Sequence, residues 1–249
     1  GRLLFNWEVF LLLYVRRNGH IADFFLFMDW WLIYELSKRL VKAQEKITIL
    51  DAIKWFGIQW DEGPDIGGPY GPYKQSERLP LYQTAAKTLI EKGAAYRCFC
   101  TVERLDKLRE VQNANKLPPG YDRHCRTLSS EESDRRAASG EKFTVRFKMP
   151  TSGVTAFDDQ IRGKVEFENA RLDDLVLLKA DGFPTYHLAS VVDDNAMKIT
   201  HVIRGDDHVN NTPRQINIFR AVLEGTDRPM PRFAHVPMIL GSDGERLSK

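Results

Sequence analysis

A chain of 249 residues is long enough for one large domain or two modest ones with a buried core. Its hydrophobic fraction of 43% and charged fraction of 28% are ordinary for a soluble globular protein, and a net charge of +2 predicts no global field that attracts nucleic acid. Three cysteines argue against a secreted disulfide framework and predict a reducing, cytoplasmic setting. The start of the chain also lacks the pattern of a secretory signal.

Residues 9–34 contain two strongly apolar runs, which Arg16, Arg17 and Asp23 separate. Neither run approaches the roughly 20 residues that a membrane span requires. We therefore expect core elements here and no membrane partner.

Apolar periodicity and breaker residues define most elements of the next stretch. Leu89 and Ile90 lie on the inward face of a helix that ends at Gly93, and the alternation of residues 142–148 predicts a half-buried strand. The predicted helices are 47–56, 76–93, 102–111 and 131–138, the predicted strands are 142–148, 165–168 and 175–179, and residues 61–73 and 113–122 are predicted loops.

The last part of the chain alternates between helix and strand. A helix over 186–193, a strand over 200–204, a helix over 213–223 and a strand over 232–237 are predicted from the apolar pattern. Alternation of this kind favours an α/β fold with a doubly wound parallel sheet.

Arg204 follows a buried strand pattern, so it should lie where such sheets bind ligands. Its planar fork suits a carboxylate, although an ion pair with Asp206 or Asp207 is the simpler alternative. Tyr186 opens a helix and could reach into the same crevice with its hydroxyl, or be a core aromatic. The neighbouring pair Asp193-Asp194 reads equally well as solvated acids or as a site for a cation or sugar hydroxyls.

Cys98, Cys100 and Cys125 could supply three thiolates to a zinc ion. A fourth ligand is then needed, and Tyr121 and His124 are the nearest candidates. His124 is the less favourable of the two, because it adjoins Cys125 and would have to fold back to the same point. The alternative is a small knuckle of three reduced cysteines without a metal.

Several motifs, in this order and at this spacing, resemble the class I glutamyl-tRNA synthetase family. They are Tyr186-His-Leu-Ala-Ser-Val-Val-Asp-Asp194, Val202-Ile-Arg-Gly-Asp-Asp-His208, Asn211-Thr-Pro-Arg-Gln215 and Gly244-Glu-Arg-Leu-Ser-Lys249. The resemblance runs from about residue 47 to residue 249. It implies a Rossmann-like catalytic domain in two parts, 1–85 and 177–249, around an inserted α+β domain over 86–176 that binds the tRNA acceptor stem.

The same resemblance implies roles for single residues. Tyr186, Ser190 and Arg204 would bind L-glutamate, and Asp207, His208 and Lys249 would bind ATP with its Mg²⁺. Lys249 and Arg246 would be the catalytic residues of a loop that closes over the phosphates. The implied reaction joins L-glutamate to tRNA(Glu) through glutamyl-adenylate, in an enzyme that is expected to be a monomer.

For the metal site, the resemblance offers two patterns. Some bacterial members carry Cys-x-Cys and Cys-x-His, but this chain has Thr127 at the histidine position. A related enzyme that glutamylates a modified base of tRNA(Asp) uses Cys-x-Cys with Tyr-x-x-x-Cys. That pattern selects Cys98, Cys100, Tyr121 and Cys125 as ligands for Zn²⁺.

Residues 8–46 depart from the family pattern. The ATP-gripping His-x-Gly-Gly signature is missing from the printed sequence, and only Asp29 or Glu35 could replace the family acid that binds the amino group of glutamate. The segment could be divergent, frame-shifted or an artefact. The chain alone is therefore expected to be inactive, and two alternatives stay open: the enzyme that glutamylates the tRNA base, and a non-catalytic pseudo-synthetase that binds tRNA or protein.

Overall fold

The computed structural model describes residues 49–238, 240 and 244. The predictions for the segment 8–46, with Asp29 and Glu35, and for Arg246 and Lys249 lie outside these residues. The chain divides into two compact units with the boundary between Tyr73 and Lys74. The finer division into 1–85, 86–176 and 177–249 stays a prediction. No helix in the described ranges combines the length and the apolar character needed to cross a membrane.

The described part of the first unit is a short helix followed by the predicted loop. Helix α1 covers Ile49–Trp55, inside the range predicted for it. The loop closes on itself through a bridge between Gly63 and Gly67, and the Tyr73 hydroxyl donates to Glu62 Oε2 at 2.6 Å.

The second unit contains five helices and seven strands among its described residues, and they follow the predicted order closely. In chain order they are α2 (Leu79–Glu91), β1 (Ala95–Cys98), α3 (Val102–Ala114), α4 (Ser130–Ala138), β2 (Thr144–Phe147), β3 (Val154–Asp159), β4 (Gly163–Glu168), β5 (Val176–Leu178), α5 (Tyr186–Ala196), β6 (His201–Gly205), α6 (Thr212–Leu223) and β7 (Arg232–Val236). Short 3₁₀ turns cover Gln75–Glu77, His124–Thr127, Asn169–Arg171 and Asp206–Asn211. Each predicted helix and strand from residue 47 onward has a counterpart here, whereas the predictions missed β1 and β3.

Two sheets organise this unit. The antiparallel sheet has the order β1-β2-β5, and the mixed sheet has the order β4-β3-β7-β6. In the mixed sheet β3 and β4 form an antiparallel hairpin, whereas β7 pairs in parallel with both β3 and β6. The fold is therefore α/β with parallel strand pairing, as predicted.

Apolar burial fixes the parallel part of the sheet. Val202 and Phe233 are buried on β6 and β7, while Ile216 and Phe219 of α6 are almost fully enclosed. An element buried on both sides reads as a near-continuous apolar run, which is why β6 was predictable from sequence. The run ends at Ile203, so Arg204 is the first charged residue at the carboxyl end of a buried strand.

A buried ion pair joins the beginning of α2 to α5. Arg78 Nε donates to Asp193 Oδ1 at 2.6 Å, and the Tyr82 hydroxyl lies 2.9 Å from both carboxylate oxygens. Asp193 is 3% exposed, so the interpretation of this residue as a solvated acid is wrong. Burial raises the pKa of Asp193, while the Arg78 charge and the bond from Tyr82 oppose that rise.

Candidate active site

Three adjacent strands bring charged side chains to one edge of the mixed sheet. Arg204 of β6 lies in register with His235 of β7, and Asp159 at the end of β3 pairs with Phe233 of the same neighbouring strand. Since parallel strands end at one edge, residues that are distant in sequence meet there. The resulting set, which we term the arginine cluster, consists of Asp159, Tyr186, Arg204, Thr212 and His235.

Arg204 is the centre of the arginine cluster and is only 4% exposed. Its Nε donates to His235 Nε2 at 3.1 Å, one terminal nitrogen donates to the Tyr186 hydroxyl at 3.2 Å, and the other donates to Thr212 Oγ1 at 2.8 Å. Three bonds in different directions fix the plane of a guanidinium group. Asp206, the alternative partner considered from sequence, forms a close ion pair with Arg162.

Asp159 and His235 form the buried base of the cluster. Asp159 Oδ2 lies 2.6 Å from His235 Nδ1, and both side chains are 0% exposed. The other carboxylate oxygen accepts backbone N–H groups from Ile161, Arg162 and His235 at 3.0, 2.9 and 3.2 Å. The Asp159 side chain thus stabilises the β3–β4 turn and, through His235, also binds to β7.

The protonation states follow from these contacts. Burial alone would raise the pKa of Asp159, but the hydrogen bonds from the Arg162 backbone and the His235 ring outweigh it and lower that pKa. For His235, burial lowers the pKa and the positive charge of Arg204 adds to the effect, whereas the bond to Asp159 opposes it. The cluster therefore contains an ionised aspartate, a neutral histidine and a charged arginine at neutral pH.

Ser190 lies one helical turn beyond Tyr186 on α5, so the two side chains share a helix face. Its hydroxyl is buried and, among the described residues, has no hydrogen-bond partner. Buried hydroxyls are rarely left in that state, since the loss costs about 1–3 kcal/mol. A polar ligand group is one way to satisfy it.

His187 lies between Tyr186 and Ser190 in sequence, and its pKa is sensitive to the charges near the arginine cluster. Its pKa is lowered to about 4, first by burial and then by the positive charges of Arg214 and Arg204. Sequence reasoning did not single out His187. The field that lowers its pKa would favour an anionic ligand.

Asp207 and His208 follow the cluster on the turn after β6. The His208 ring nitrogen Nδ1 lies 3.4 Å from the Tyr186 hydroxyl and 3.0 Å from Asn211 Nδ2. A Cβ at Gly205 would lie 2.7 Å from Asp207 Oδ1, so glycine at that position allows the turn to fold back tightly. The structure thus places His208 against Tyr186, while the nucleotide contacts of Asp207 and His208 stay predictions.

The cysteine cluster, made of Cys98, Cys100, Tyr121 and Cys125, is a separate feature of the same unit. The three sulfur atoms all lie within 4.8 Å of one another. The Tyr121 hydroxyl is 3.2 Å from Cys98 Sγ and 3.5 Å from Cys100 Sγ, and it accepts the Cys125 backbone N–H at 3.0 Å. His124 is exposed on the surface and does not join the three sulfur ligands.

Electrostatics within the cysteine cluster favour one thiolate. The side-chain hydrogen bond from Cys125 lowers the pKa of Cys98 to about 4, although burial opposes this change. The pKa of Cys125 is raised in turn by the same bond. The Arg146 guanidinium lies 3.7 Å from the centre of the Tyr121 ring and helps to hold that ring in place. Soft thiolate ligands in a closed arrangement fit zinc.

The sequence predictions identified part of the arginine cluster and all of the cysteine cluster. Tyr186, Ser190 and Arg204 lie on the elements expected for them, whereas Arg246 and Lys249 are outside the described residues. Asp159 and His235 were missed. The available signal was a histidine inside an apolar strand pattern, Phe233-Ala-His-Val236, where a buried polar group needs a partner.

A sheet with parallel strands and a buried arginine at its carboxyl edge defines an α/β domain that binds a ligand at that edge. The family described as "tRNA synthetases class I (E and Q), catalytic domain" matches residues 36–249. The chain belongs to this family of class I synthetase catalytic domains.

Individual relatives are glutamate–tRNA ligases. The chain is 54% identical to the one from Dehalococcoides mccartyi strain BAV1 over 246 residues, which are 99% of this chain and 46% of the relative. It is 47% identical to the one from Legionella pneumophila strain Philadelphia 1 over 247 residues, with 99% and 46% covered. The chain therefore spans less than half the length of these curated relatives.

A solved structure has the same fold. It is the crystal structure of a glutamate tRNA ligase from Elizabethkingia meningosepticum in complex with its amino acid. The match has a TM-score of 0.74 and 38% sequence identity, and it covers 80% of this chain and 41% of the other.

Proposed function

We propose that this chain is the catalytic part of an enzyme that attaches L-glutamate to tRNA(Glu). The observation that carries the proposal is Arg204, a buried arginine that three neighbours orient at the carboxyl edge of a parallel sheet. A buried guanidinium that contacts Tyr186, with an unsatisfied serine hydroxyl one helical turn from that tyrosine, suits a small, polar, anionic substrate. The glutamate–tRNA ligases that resemble this chain support L-glutamate as that substrate.

The reaction would proceed in two steps. A glutamate carboxylate oxygen attacks the α-phosphorus of ATP, the bond to pyrophosphate breaks, and glutamyl-adenylate forms. The terminal ribose hydroxyl of the tRNA then attacks the activated carbonyl and releases AMP. The protein contributes by positioning the reactants and stabilising charge.

Each substrate would have its own group of residues. Tyr186, Ser190 and Arg204 would hold glutamate, and Asp207 and His208 would border ATP. Lys249 and Arg246 would meet the phosphates with Mg²⁺. The bonds that orient Arg204 and the unsatisfied Ser190 hydroxyl support the first assignment, and the contact of His208 with Tyr186 supports the second.

The region over 86–176 would hold the tRNA acceptor stem. Strands β1 and β2 and helices α3 and α4 lie in this stretch of sequence, whereas β5 begins at its end and β3 and β4 belong to the mixed sheet. The glutamate–tRNA ligases that resemble this chain support tRNA as the partner, and the assignment to 86–176 rests on the resemblance in sequence. We also infer that the enzyme acts as a monomer in the cytoplasm, a setting that the three free cysteines support.

Zn²⁺ would bind to Cys98, Cys100 and Cys125, with Tyr121 as fourth ligand. The spacing of the sulfur atoms and the adjacent hydroxyl fit a four-coordinate site. The ion would brace the acceptor-binding region and take no part in the chemistry.

The proposed function is tested by ATP–pyrophosphate exchange in the full-length polypeptide that contains this chain. Exchange that depends on L-glutamate, and not on L-glutamine or L-aspartate, is the expected result. The assay is run with and without tRNA(Glu), because the proposed second step uses that tRNA. No glutamate-dependent exchange under either condition would refute the proposal.

A further inference from the structure

Arg204 does not reach its orientation alone. His235, which occupies the neighbouring register position on β7, lies between Arg204 and the carboxylate of Asp159. None of the motifs that identified the substrate site includes Asp159 or His235. Both side chains are fully buried, and a buried polar chain of this kind is retained only when each member is satisfied.

The neighbours of His235 select one tautomer. The Asp159 carboxylate accepts hydrogen bonds only, so Nδ1 of His235 must carry the proton that bridges the 2.6 Å contact. Arg204 Nε is a donor only, so His235 Nε2 must accept across the 3.1 Å contact. Two independent partners therefore require the same neutral ring, with the proton on Nδ1 and a bare Nε2.

A neutral ring has an advantage over a direct ion pair in this position. If the Asp159 carboxylate contacted Arg204 directly, it would compete with a substrate carboxylate for the same guanidinium. The interposed imidazole fixes the plane of Arg204 without that competition. The Thr212 hydroxyl accepts a hydrogen bond from a terminal nitrogen of Arg204 and lies 3.0 Å from His235 Nε2. It thus helps to fix the guanidinium group next to the His235 ring.

We propose that Asp159 and His235 are positioning residues that hold Arg204 in the orientation that receives the substrate carboxylate. The inference rests on the proposed function. Asp159 fixes the tautomer of His235, His235 accepts from Arg204 Nε, and Arg204 alone of the three meets the substrate.

Asp159→Asn is the sharpest variant, because the backbone dictates how the new amide must lie. Three backbone N–H groups, those of Ile161, Arg162 and His235, converge on Oδ1 of Asp159. The asparagine oxygen must occupy that position, so its NH₂ group faces His235 Nδ1. The histidine then becomes an acceptor at Nδ1 and carries its proton on Nε2, where it opposes Arg204 Nε–H.

His235→Asn and His235→Gln form a matched pair. The asparagine amide reaches the position of Nδ1 and can still donate to Asp159, but it leaves Arg204 without its acceptor. The glutamine amide reaches the position of Nε2, and its oxygen can accept from Arg204. Both substitutions remove the imidazole ring. If His235 had a purely structural role, the two variants should therefore show similar changes in the KM for glutamate.

The experiment combines kinetics and NMR on the full-length polypeptide. In the wild type, ¹⁵N spectra should show His235 protonated at Nδ1, with a scalar coupling across the hydrogen bond from Arg204 Nε to His235 Nε2. In Asp159→Asn and His235→Asn the KM for glutamate should rise about 10–100-fold, as is typical when an orienting partner is lost. The KM for ATP should stay within about twofold, and His235→Gln should retain most of the affinity for glutamate.

The combination Asp159→Asn with His235→Gln provides the control for stability. Because a glutamine can turn its oxygen toward Arg204 whatever residue occupies 159, Asp159→Asn should add little to the KM for glutamate in that background. Equal losses in the His235→Asn and His235→Gln variants, equal rises in the KM for ATP and glutamate, or an unchanged KM in Asp159→Asn would overturn the inference. A wild type without glutamate-dependent exchange would instead refute the proposed function, while the tautomer and the coupling would still show whether Asp159 controls the bond to Arg204.

Discussion

The arginine cluster and the cysteine cluster are both buried groups of polar side chains, yet they suit ligands of opposite charge. Beside the first, burial lowers the pKa of His187, the positive charges of Arg214 and Arg204 lower it further, and those two charges favour an anion. In the second, three sulfur atoms lie close together and the hydrogen bond from Cys125 lowers the pKa of Cys98, which favours a soft cation. This contrast supports the proposal that the arginine cluster binds the amino-acid substrate and the cysteine cluster a structural metal.

The two clusters also differ in how far apart their members lie in sequence. The cysteine cluster falls within residues 98–125, whereas the arginine cluster draws on residues from 159 to 235. Strand β1, helix α3 and the 3₁₀ turn at His124–Thr127 follow one another along the chain and carry or connect the cysteines, but the arginine cluster depends on the register of three strands. Mutations that separate the two functions would sharpen this comparison, and mutations that impair both would break it.

The largest effect is expected for Arg204→Ala. Leaving a substrate carboxylate unpaired in a closed pocket should cost about 2–4 kcal/mol, or roughly 30- to 1000-fold in kcat/KM for glutamate. The KM for ATP and the zinc content should not change. Arg204→Lys keeps the charge but loses the planar fork. Its kcat/KM for glutamate should fall between those of the wild type and Arg204→Ala. Steady-state kinetics that show unchanged use of glutamate would make Arg204 a structural residue.

A second test asks whether burial and the positive charges of Arg214 and Arg204 hold His187 neutral. Because its pKa in the folded state is about 4, below the ordinary 6.5, the unfolded chain takes up the proton first as the pH falls. Neutral His187 therefore contributes to the stability of the folded protein. This contribution is complete above pH 6.5 and is lost progressively down to about pH 4, which lowers the free energy of unfolding by up to about 3 kcal/mol.

His187→Gln is the control for that measurement. It should remove this part of the pH dependence while leaving the contribution of the carboxylates in place. Urea unfolding of both proteins at several pH values gives the comparison. Identical slopes between pH 6.5 and 4 would show that His187 is not held neutral by its surroundings.

For the cysteine cluster, the expected effect is on metal content. Protein never exposed to chelator should contain close to one zinc ion per chain, and Cys125→Ser should lower zinc affinity by about tenfold or more. Tyr121→Phe should weaken binding as well, whereas His124→Ala, on the exposed side of the same turn, should leave it unchanged.

Elemental analysis measures the zinc content, and competition with a chelator measures the zinc affinity. Loss of zinc should reduce tRNA charging more than glutamyl-adenylate formation, since the cysteine cluster is expected to brace the tRNA-binding region. Less than about a tenth of an equivalent of zinc in the wild type would rule out the site, because structural zinc binds tightly enough to survive purification.

The smallest effect is expected for Tyr186→Phe. The hydroxyl accepts one bond from Arg204 at 3.2 Å, and its loss should cost about 1 kcal/mol, or roughly fivefold in the KM for glutamate. Tyr82→Phe is a matched control, since the Tyr82 hydroxyl bonds to Asp193 in the buried ion pair and should affect stability more than substrate affinity. If Tyr82→Phe raised the KM for glutamate more than Tyr186→Phe did, the substrate site would not be at Arg204.

Most of the fold was predictable from sequence, because the core strands and helices carry plain apolar patterns. The exceptions have physical reasons. Strand β1, Ala95–Cys98, is only four residues long and contains Arg97, and β3, Val154–Asp159, ends in two acids that read as a loop. Their partners in the sheets, and not their own composition, make them strands.

The candidate site was predictable only where chemistry left a mark in local sequence. Arg204 at the end of an apolar strand pattern and the spacing of the cysteines are such marks. Asp159 carries none, and the mark at His235 is weak, because a lone histidine in an apolar strand shows its role only when the neighbouring strands and their register are known. Sequence spacing therefore predicts the residue that meets the ligand better than the residues that orient it.

The most direct test of the account is a crystal structure of the full-length polypeptide with L-glutamate bound. A substrate carboxylate should lie about 2.7–3.2 Å from the guanidinium nitrogens of Arg204, with Tyr186 and Ser190 beside it and His235 still accepting from Arg204 Nε. Glutamate bound elsewhere, with Arg204 in contact with protein groups alone, would contradict the central claim.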